Sequence, residues 1–421
     1  MSNEYSAKPM TVEGNDINEP SALPFSSRRE FLRRMSVGAG ALTSGAAFLK
    51  EFAVTANAAG SSSNSPTGAL DGVARARLAY RLREGAARHE LQLPLPDHPN
   101  NGDEALYPDK IGSYSKGLPH NRLGEVNLHA YHSLIAALHS GLPADFEDTV
   151  LALGRKLTNP QAGLAFEMQG PDSHTLAQNP APAFSSAEEA SEIAENYWMA
   201  LTRDIPFAEY DTTDLTRRAA KDLSKFSDFR GPSSQGRVTP STLFRANTPG
   251  GLAGPYISQF LWLDSPFGAE RIDRHMTTTL PGLDYMTDYA SWLVVQNGAV
   301  SGPNSFDPAP RYIRNGRDLG QWVHIDVLFQ AYFTALLILG NLRAPLGDGN
   351  PYNRSRTQIG FGTLGDPYMA SVLCAVARPA LKAVWFQKWF VHRRLRPESF
   401  AGRIHNHVNG HAHYPIHSDI L

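Results

Sequence analysis

Apolar residues recur at spacings of three and four along much of the chain, between recognisable start and stop signals. Ser185 with Glu188, or Ser186 with Glu189, reads as a capping box. Ala190, Ile193, Tyr197 and Leu201 follow it and would share one buried stripe. Asn127 to His139 forms a second helical pattern, closed by Gly141 and Pro143. A third runs from Asp318 through Trp322 to Leu342. Its stretch Val327–Leu339 is apolar nearly all round, which predicts a central core helix. A fourth opens with Asp366 as N-cap and Pro367 as the first helical residue. A fifth opens at Pro379 and must end near Pro397. Alternating β-branched runs bounded by turn dipeptides are nearly absent. The expected fold class is all-α, a helix bundle with long Pro/Gly loops, occupying residues 70–421.

The N-terminal 58 residues read differently. Arg28-Arg29 precede an apolar, small-residue run from Met35 to Leu49, and Ala56-Asn57-Ala58 offers a cleavage site. This order predicts a twin-arginine signal and a periplasmic or extracellular destination. Residues 59–69 are a flexible linker by composition. No later run of about 18 residues is both uncharged and apolar, so no stable membrane anchor is expected after signal removal.

Composition narrows the function. With 39 Lys+Arg against 41 Asp+Glu and a net charge of −2, there is no electrostatic footprint for nucleic acid. A single cysteine, Cys374, excludes an intrachain disulfide and any Cys-rich metal site; it reads as helix core packing.

The densest chemistry lies in Pro379–Gly402. On an α-helix Trp385, Lys388 and His392 share a face, and Arg396 follows just before Pro397. Arg393 and Arg394 add positive charge. A Lys point charge beside an Arg fork suits a tetrahedral oxyanion. An exposed basic helix end is the plainer alternative, but Trp385, Phe386, Trp389 and Phe390 would bury this helix. A buried Lys requires an anionic partner.

Lys388-Trp389, His392-Arg393 and Leu395-Arg396-Pro397-Glu398 together resemble the first vanadate-binding motif of vanadium-dependent haloperoxidases, on the algal and bacterial bromoperoxidase branch. The related phosphatidic-acid phosphatases space their Lys and Arg one residue closer. Asn101–Glu104, Lys116–His120, Gly254–Tyr256, Asp284–Thr287 and Gly349–Tyr352 also resemble bromoperoxidase segments. The resemblance implies an all-α fold that holds vanadate and, with hydrogen peroxide, oxidises bromide or iodide to a hypohalous acid equivalent that halogenates a small organic acceptor. It gives Lys388 the catalytic, charge-stabilising role, Arg396 the clamp on vanadate oxygens and Trp385 a contact one turn earlier. A homo-oligomer is also expected.

Two further family motifs, a Ser-Gly-His string and an Arg followed by the vanadium-ligating His, are not found. Asn409-Gly410-His411 is the closest string. The expectation is a C-terminally truncated family member, impaired or inactive as this chain. A phosphatidic-acid-phosphatase-type acid phosphatase and a non-catalytic truncated helical protein are the alternatives.

Weaker candidates remain. His405, His407, His411, His413 and His417 could hold Zn or Cu, but read better as loop histidines. Asp348, Asn350 and Asn353 could offer oxygens to Ca²⁺, without EF-hand spacing. His324 and Asp326 read as hydrogen-bonded core polars.

Overall fold

The computed structural model describes residues 71–421. The expected signal (1–58) and linker (59–69) lie outside the described residues. Contacts divide the chain into two units that meet in sequence at Leu93/Pro94. Of the first unit one helix is described: α1, Gly72–Gln92, capped by Asp71.

The second unit, from Pro94, is helical apart from one short antiparallel pair, β1 (Ser265–Phe267) and β2 (Glu270–Ile272), with Ser265 opposite Ile272. Single-turn helices aside, its elements begin with α2, Leu128–Ser140. Asn127 caps it by accepting from the Ala130 amide, and Gly141 closes it in the left-handed region at φ 67°. These are the ends expected from the sequence. The α3 helix, Ala187–Thr202, starts on Ser186, whose hydroxyl accepts from the Glu189 amide at 3.1 Å. Ala190 and Ile193 are buried as expected, but Tyr197 and Leu201 are exposed; in the second half of α3 Trp198 and Thr202 face the body instead. The α4 helix, Asp214–Leu223, packs on α3 through Ala219, Ala220 and Leu223.

After α5 (Tyr289–Gln296), the expected helix 318–342 is two. Helix α6 spans Gly316–His324 and α7 spans Gln330–Asn341. The Gln330 side chain accepts from the Val327 amide at 2.9 Å, a local bond that replaces a helical one at the break. Helix α7 is not a central core helix. It packs on β1 and on α8 (Asp366–Ala375), with Thr334 and Ile338 buried, while Leu339 on the helix and Val327 and Leu328 just before it are exposed. The helix lies at the rim of the body, so most of its apolar surface finds no cover. His324 and Asp326 are likewise exposed and not core polars.

Helix α8 begins one residue earlier than expected, at Asp366 with Gly365 as its N-cap, and Cys374 is half-buried on it. It runs on into α9, Ala377–Phe386. Pro379 therefore interrupts a helix and does not open one. It cannot donate to the Ala375 carbonyl four residues back, and the two segments part there. The helical run Asp366–His392 is the one among the described residues long and apolar enough, by length and composition, to cross a membrane. The sequence criterion of no charges passed it over. Its last turns are nevertheless built into the protein, with Gln387, Trp389 and Val391 buried. Helix α10, Pro397–Val408, follows and packs on α3.

Candidate active site

The end of the long helix is wider than an α-helix. Gln387–His392 is a π-turn, closed by the Arg393 amide donating to the Lys388 carbonyl at 3.2 Å, an i+5 bond. Arg393 then adopts φ 37°, which turns the chain out of the helix four residues before Pro397. Arg396 becomes the N-cap residue of α10 and faces the turn it has just left. Inserted π-turns concentrate at functional sites, and this one carries the densest chemistry of the sequence.

An extended segment from the other end of the body lines up against this corner. The Tyr114 amide donates to the Arg393 carbonyl at 2.6 Å, Leu395 N donates to Gly112 O at 3.3 Å, and Ser113 bridges Arg394 in antiparallel fashion. Residues i and i+2 of an extended chain share a face. Tyr114 and Lys116 accordingly both reach the site.

Lys388 sits in a cage of rings. Its Nζ lies 5.3 Å from the Tyr114 ring centroid, 5.1 Å from Trp385 and 5.0 Å from Trp389. Trp389 is 1% exposed and belongs to the core cluster with Leu118, Tyr131 and Leu134. Tyr114 meets it edge-on, and Trp385 is fixed by donating to the Thr158 carbonyl at 2.9 Å. Among the described residues no carboxylate pairs with Lys388. Burial pushes its ammonium below the ordinary lysine value, and the charges of Arg396 and Lys116 push the same way.

The other basic residues of the segment are compensated, which corrects the expectation of a broad positive cluster. Arg393 pairs with Glu104 at 2.6 Å, and Arg394 with Glu189 and Glu192. Arg396 pairs with Glu398 at 2.5 Å, and Lys116 reaches the same carboxylate at 3.1 Å. Burial opposes the ionisation of Glu398, but Arg396 and Lys116 outweigh it and hold the group ionised. Arg396 and Lys116 thus share one carboxylate while Lys388 has none, leaving an excess of positive charge. The excess opens on a cleft of about 510 Å³ lined by Tyr114, Asn196, Lys388, His392 and Arg396. Both ring nitrogens of His392 are buried without a hydrogen-bond partner. A larger cavity of about 650 Å³, by Trp198 and Ile404, is mainly apolar, and its Lys225 is paired with Asp222. It does not share this character.

The structure brings Lys388, Trp385 and Arg396 together as the sequence predicted. It adds Tyr114 and Lys116, which spacing along one helix could not find, and gives Glu398 its role as the partner of Arg396 and Lys116. The alternation of Tyr114 and Lys116 was the available signal, but its partner lies 282 residues away. Asn101–Glu104 also acquires a purpose: Asp103 accepts from the Phe184 amide, and Glu104 anchors Arg393.

The remaining candidates do not converge. No group of three or more His, Cys, Asp or Glu able to hold a metal occurs among the described residues. The terminal histidines are engaged locally. His405 stacks on Tyr289, His407 lies against His413 and accepts from the Tyr414 amide, and His417 accepts from Asp419 N. Asn409-Gly410-His411 is the C-terminus of α10, with Gly410 at φ 68°. The proposed Ca²⁺ oxygens form a turn instead. Asn350 accepts from Tyr352 N, and Asn353 donates to Gly347 O.

No protein-family model matches the chain. Individual relatives do. The vanadium-dependent bromoperoxidase of Corallina officinalis is 32% identical over 406 residues, covering 78% of this chain and 68% of the relative. That of Ascophyllum nodosum is 34% identical over 348 residues, covering 79% and 61%. Among solved structures, the homohexameric second vanadate-dependent bromoperoxidase of Ascophyllum nodosum superimposes with a TM-score of 0.78 at 32% identity, over 87% of this chain and 64% of that one. The chain therefore spans roughly two thirds of the length of the proteins it matches. An unpaired, ring-caged lysine beside an arginine fork on a helical body, together with this degree of identity, means that the chain belongs to the vanadium-dependent bromoperoxidase family.

Proposed function

We propose that the cleft beside Lys388 and Arg396 binds vanadate, and that the protein serves the oxidation of bromide or iodide by hydrogen peroxide, passing a hypohalous acid equivalent to a small organic acceptor. The observation that carries this reading is Lys388, a half-buried cation with three ring faces around it and no carboxylate. Burying such a charge is costly unless an anion completes it. The residues fit a tetrahedral oxyanion. Lys388 would donate to one oxygen, the Arg396 guanidinium would donate in parallel to others, and the charge of Lys116, behind the cleft lining, would add attraction from further off. Bound there, vanadate supplies a Lewis acid that stays fully oxidised.

The chain's own residues do the rest. Lys388 stabilises negative charge that grows on an oxygen at the cleft during peroxide cleavage, a role suited to a preorganised ammonium in low dielectric. Trp385, Trp389 and Tyr114 exclude water from the inner side of that ammonium. Glu398 pairs with both Arg396 and Lys116 and offsets their mutual repulsion.

The Ser-Gly-His string and the ligating histidine of the family are not found in the 421 residues. The chain alone is therefore expected to bind the oxyanion more readily than it turns over halide. Self-association is part of the proposal, supported by the exposed apolar side chains of α7 and α8 and by the hexameric relative. Twin-arginine export to the periplasm or beyond is also part of it.

Titration calorimetry with orthovanadate tests the reading, beside a dye-bromination assay with peroxide and bromide. Wild-type protein should bind vanadate, and Lys388→Met should weaken binding by at least 100-fold without lowering the melting temperature. Equal affinity in the two proteins overturns the assignment. Vanadate-inhibited release of phosphate from a generic ester, without bromination, would favour a phosphatase instead.

A further inference from the structure

We propose that Tyr114 is the positioning residue of this site: its ring holds the Lys388 ammonium in place, and its backbone ties that ring to the turn leading to Arg396. The inference rests on the vanadate-binding reading and deepens it.

Two observations converge on Tyr114. The first is its backbone anchorage. Its amide donates to Arg393 O at 2.6 Å, and the neighbouring Gly112 O and Ser113 are tied to Leu395 and Arg394. The segment is thus fastened to the turn that separates Lys388 from Arg396, and a displacement of one moves the other. The second is the ring, whose centroid is 5.3 Å from Lys388 Nζ and which packs edge-on against Trp389 at 5.3 Å and 81°. Trp385 and Trp389 belong to the same helix as Lys388, so Tyr114 is the one wall of the cage supplied from outside that helix. Without it the lysine stem is free to swing into the cleft.

The chemical consequence is specific. A carboxylate beside Lys388 would hold it as firmly but would cancel its charge. A ring face attracts the ammonium through its quadrupole and leaves the net charge intact. The cage positions the cation and keeps it available to an incoming oxyanion.

A double-mutant cycle on the full chain tests this, with orthovanadate as the probe. Tyr114→Leu should weaken vanadate binding by 5- to 20-fold, and Tyr114→Phe, which keeps the ring, by no more than 3-fold. Both should melt within a few degrees of wild type. In a Lys388→Met background Tyr114→Leu should add less than 2-fold, because the ring acts through the lysine. Full additivity, or wild-type affinity in Tyr114→Leu, overturns the inference while leaving the vanadate site standing. Loss of affinity in Lys388→Met is what the underlying reading requires, so the two failures are distinguishable. A second measurement decides the cage even if the chain binds no vanadate. Acetylation of Lys388 by acetic anhydride, followed by mass spectrometry, should run several-fold faster in Tyr114→Leu than in Tyr114→Phe. Equal rates refute the positioning role.

Discussion

The Arg393 amide donates to the carbonyl of Lys388, five residues back, at 3.2 Å. This bond widens the last turn of the long helix, and the left-handed residue after it sends the chain back towards Lys388. A regular α-helix ending at Pro397 would carry Arg396 away along its axis. The π-turn and the reversal at Arg393 bring it beside the lysine.

That reversal has a measurable backbone cost. At φ 37° a β-branched side chain is strained and glycine is not. Arg393→Val and Arg393→Gly both lose the Glu104 ion pair, so their difference isolates the backbone. Urea unfolding should show the valine variant about 1–2 kcal/mol less stable than the glycine variant. Equal stabilities would mean that the turn relaxes without cost.

The start of the π-turn rests on Gly163. A Cβ there would lie 2.8 Å from Phe386 N and 2.9 Å from Phe386 Cα, both backbone atoms that cannot swing aside. Gly163→Ala should cost about 1–3 kcal/mol by overpacking. It should also weaken vanadate binding, since Phe386 leads directly into Lys388. Thermal melts and calorimetry on the same variant check both parts.

Helix α3 carries a carboxyl that titrates near neutrality. Burial raises Glu195 to about 7, and the charge of Glu192 adds to the effect. A raised acid keeps its proton in the folded chain at pH values where the unfolded chain has released it. Its contribution to stability is therefore present below about pH 4.5 and is lost as the pH rises towards 7. Glu195→Gln should be near wild type at pH 4.5 and more stable by about 1–2 kcal/mol at pH 8. Glu189 shifts in the same direction, burial outweighing Arg394, so part of the decline should persist in the variant. A variant that loses stability at pH 8 contradicts the assignment.

The uncovered apolar side chains at the rim should drive association. Val327 is 55% exposed and Val376 is 54% exposed. Replacing both with Asp should shift sedimentation coefficients towards monomer without changing the helical circular dichroism. An unchanged distribution would place any self-association elsewhere.

Local signals settled local structure. Asn127, Gly141 and Ser186 set helix ends because a cap is a bond between near neighbours, and the sequence shows both partners at once. Lys388 and Arg396 were legible for a similar reason, since residue type and an eight-residue interval belong to one short segment. Burial was less legible. The Val327–Leu339 stretch has the composition of a core helix yet sits at the rim, because burial depends on what other elements arrive to cover it. Compensation of charge was not legible at all. Arg393 and Arg394 read as free cations until Glu104, Glu189 and Glu192 were brought to them by the fold. By itself the sequence determined a helical chain with an oxyanion motif, since periodicity, caps and motif spacing are properties of contiguous residues. Only the tertiary structure decided that Lys388 is the cation left unpaired and that Tyr114 stands against it. Those facts depend on segments nearly 300 residues apart meeting in space, and packing rather than local chemistry chooses their partners.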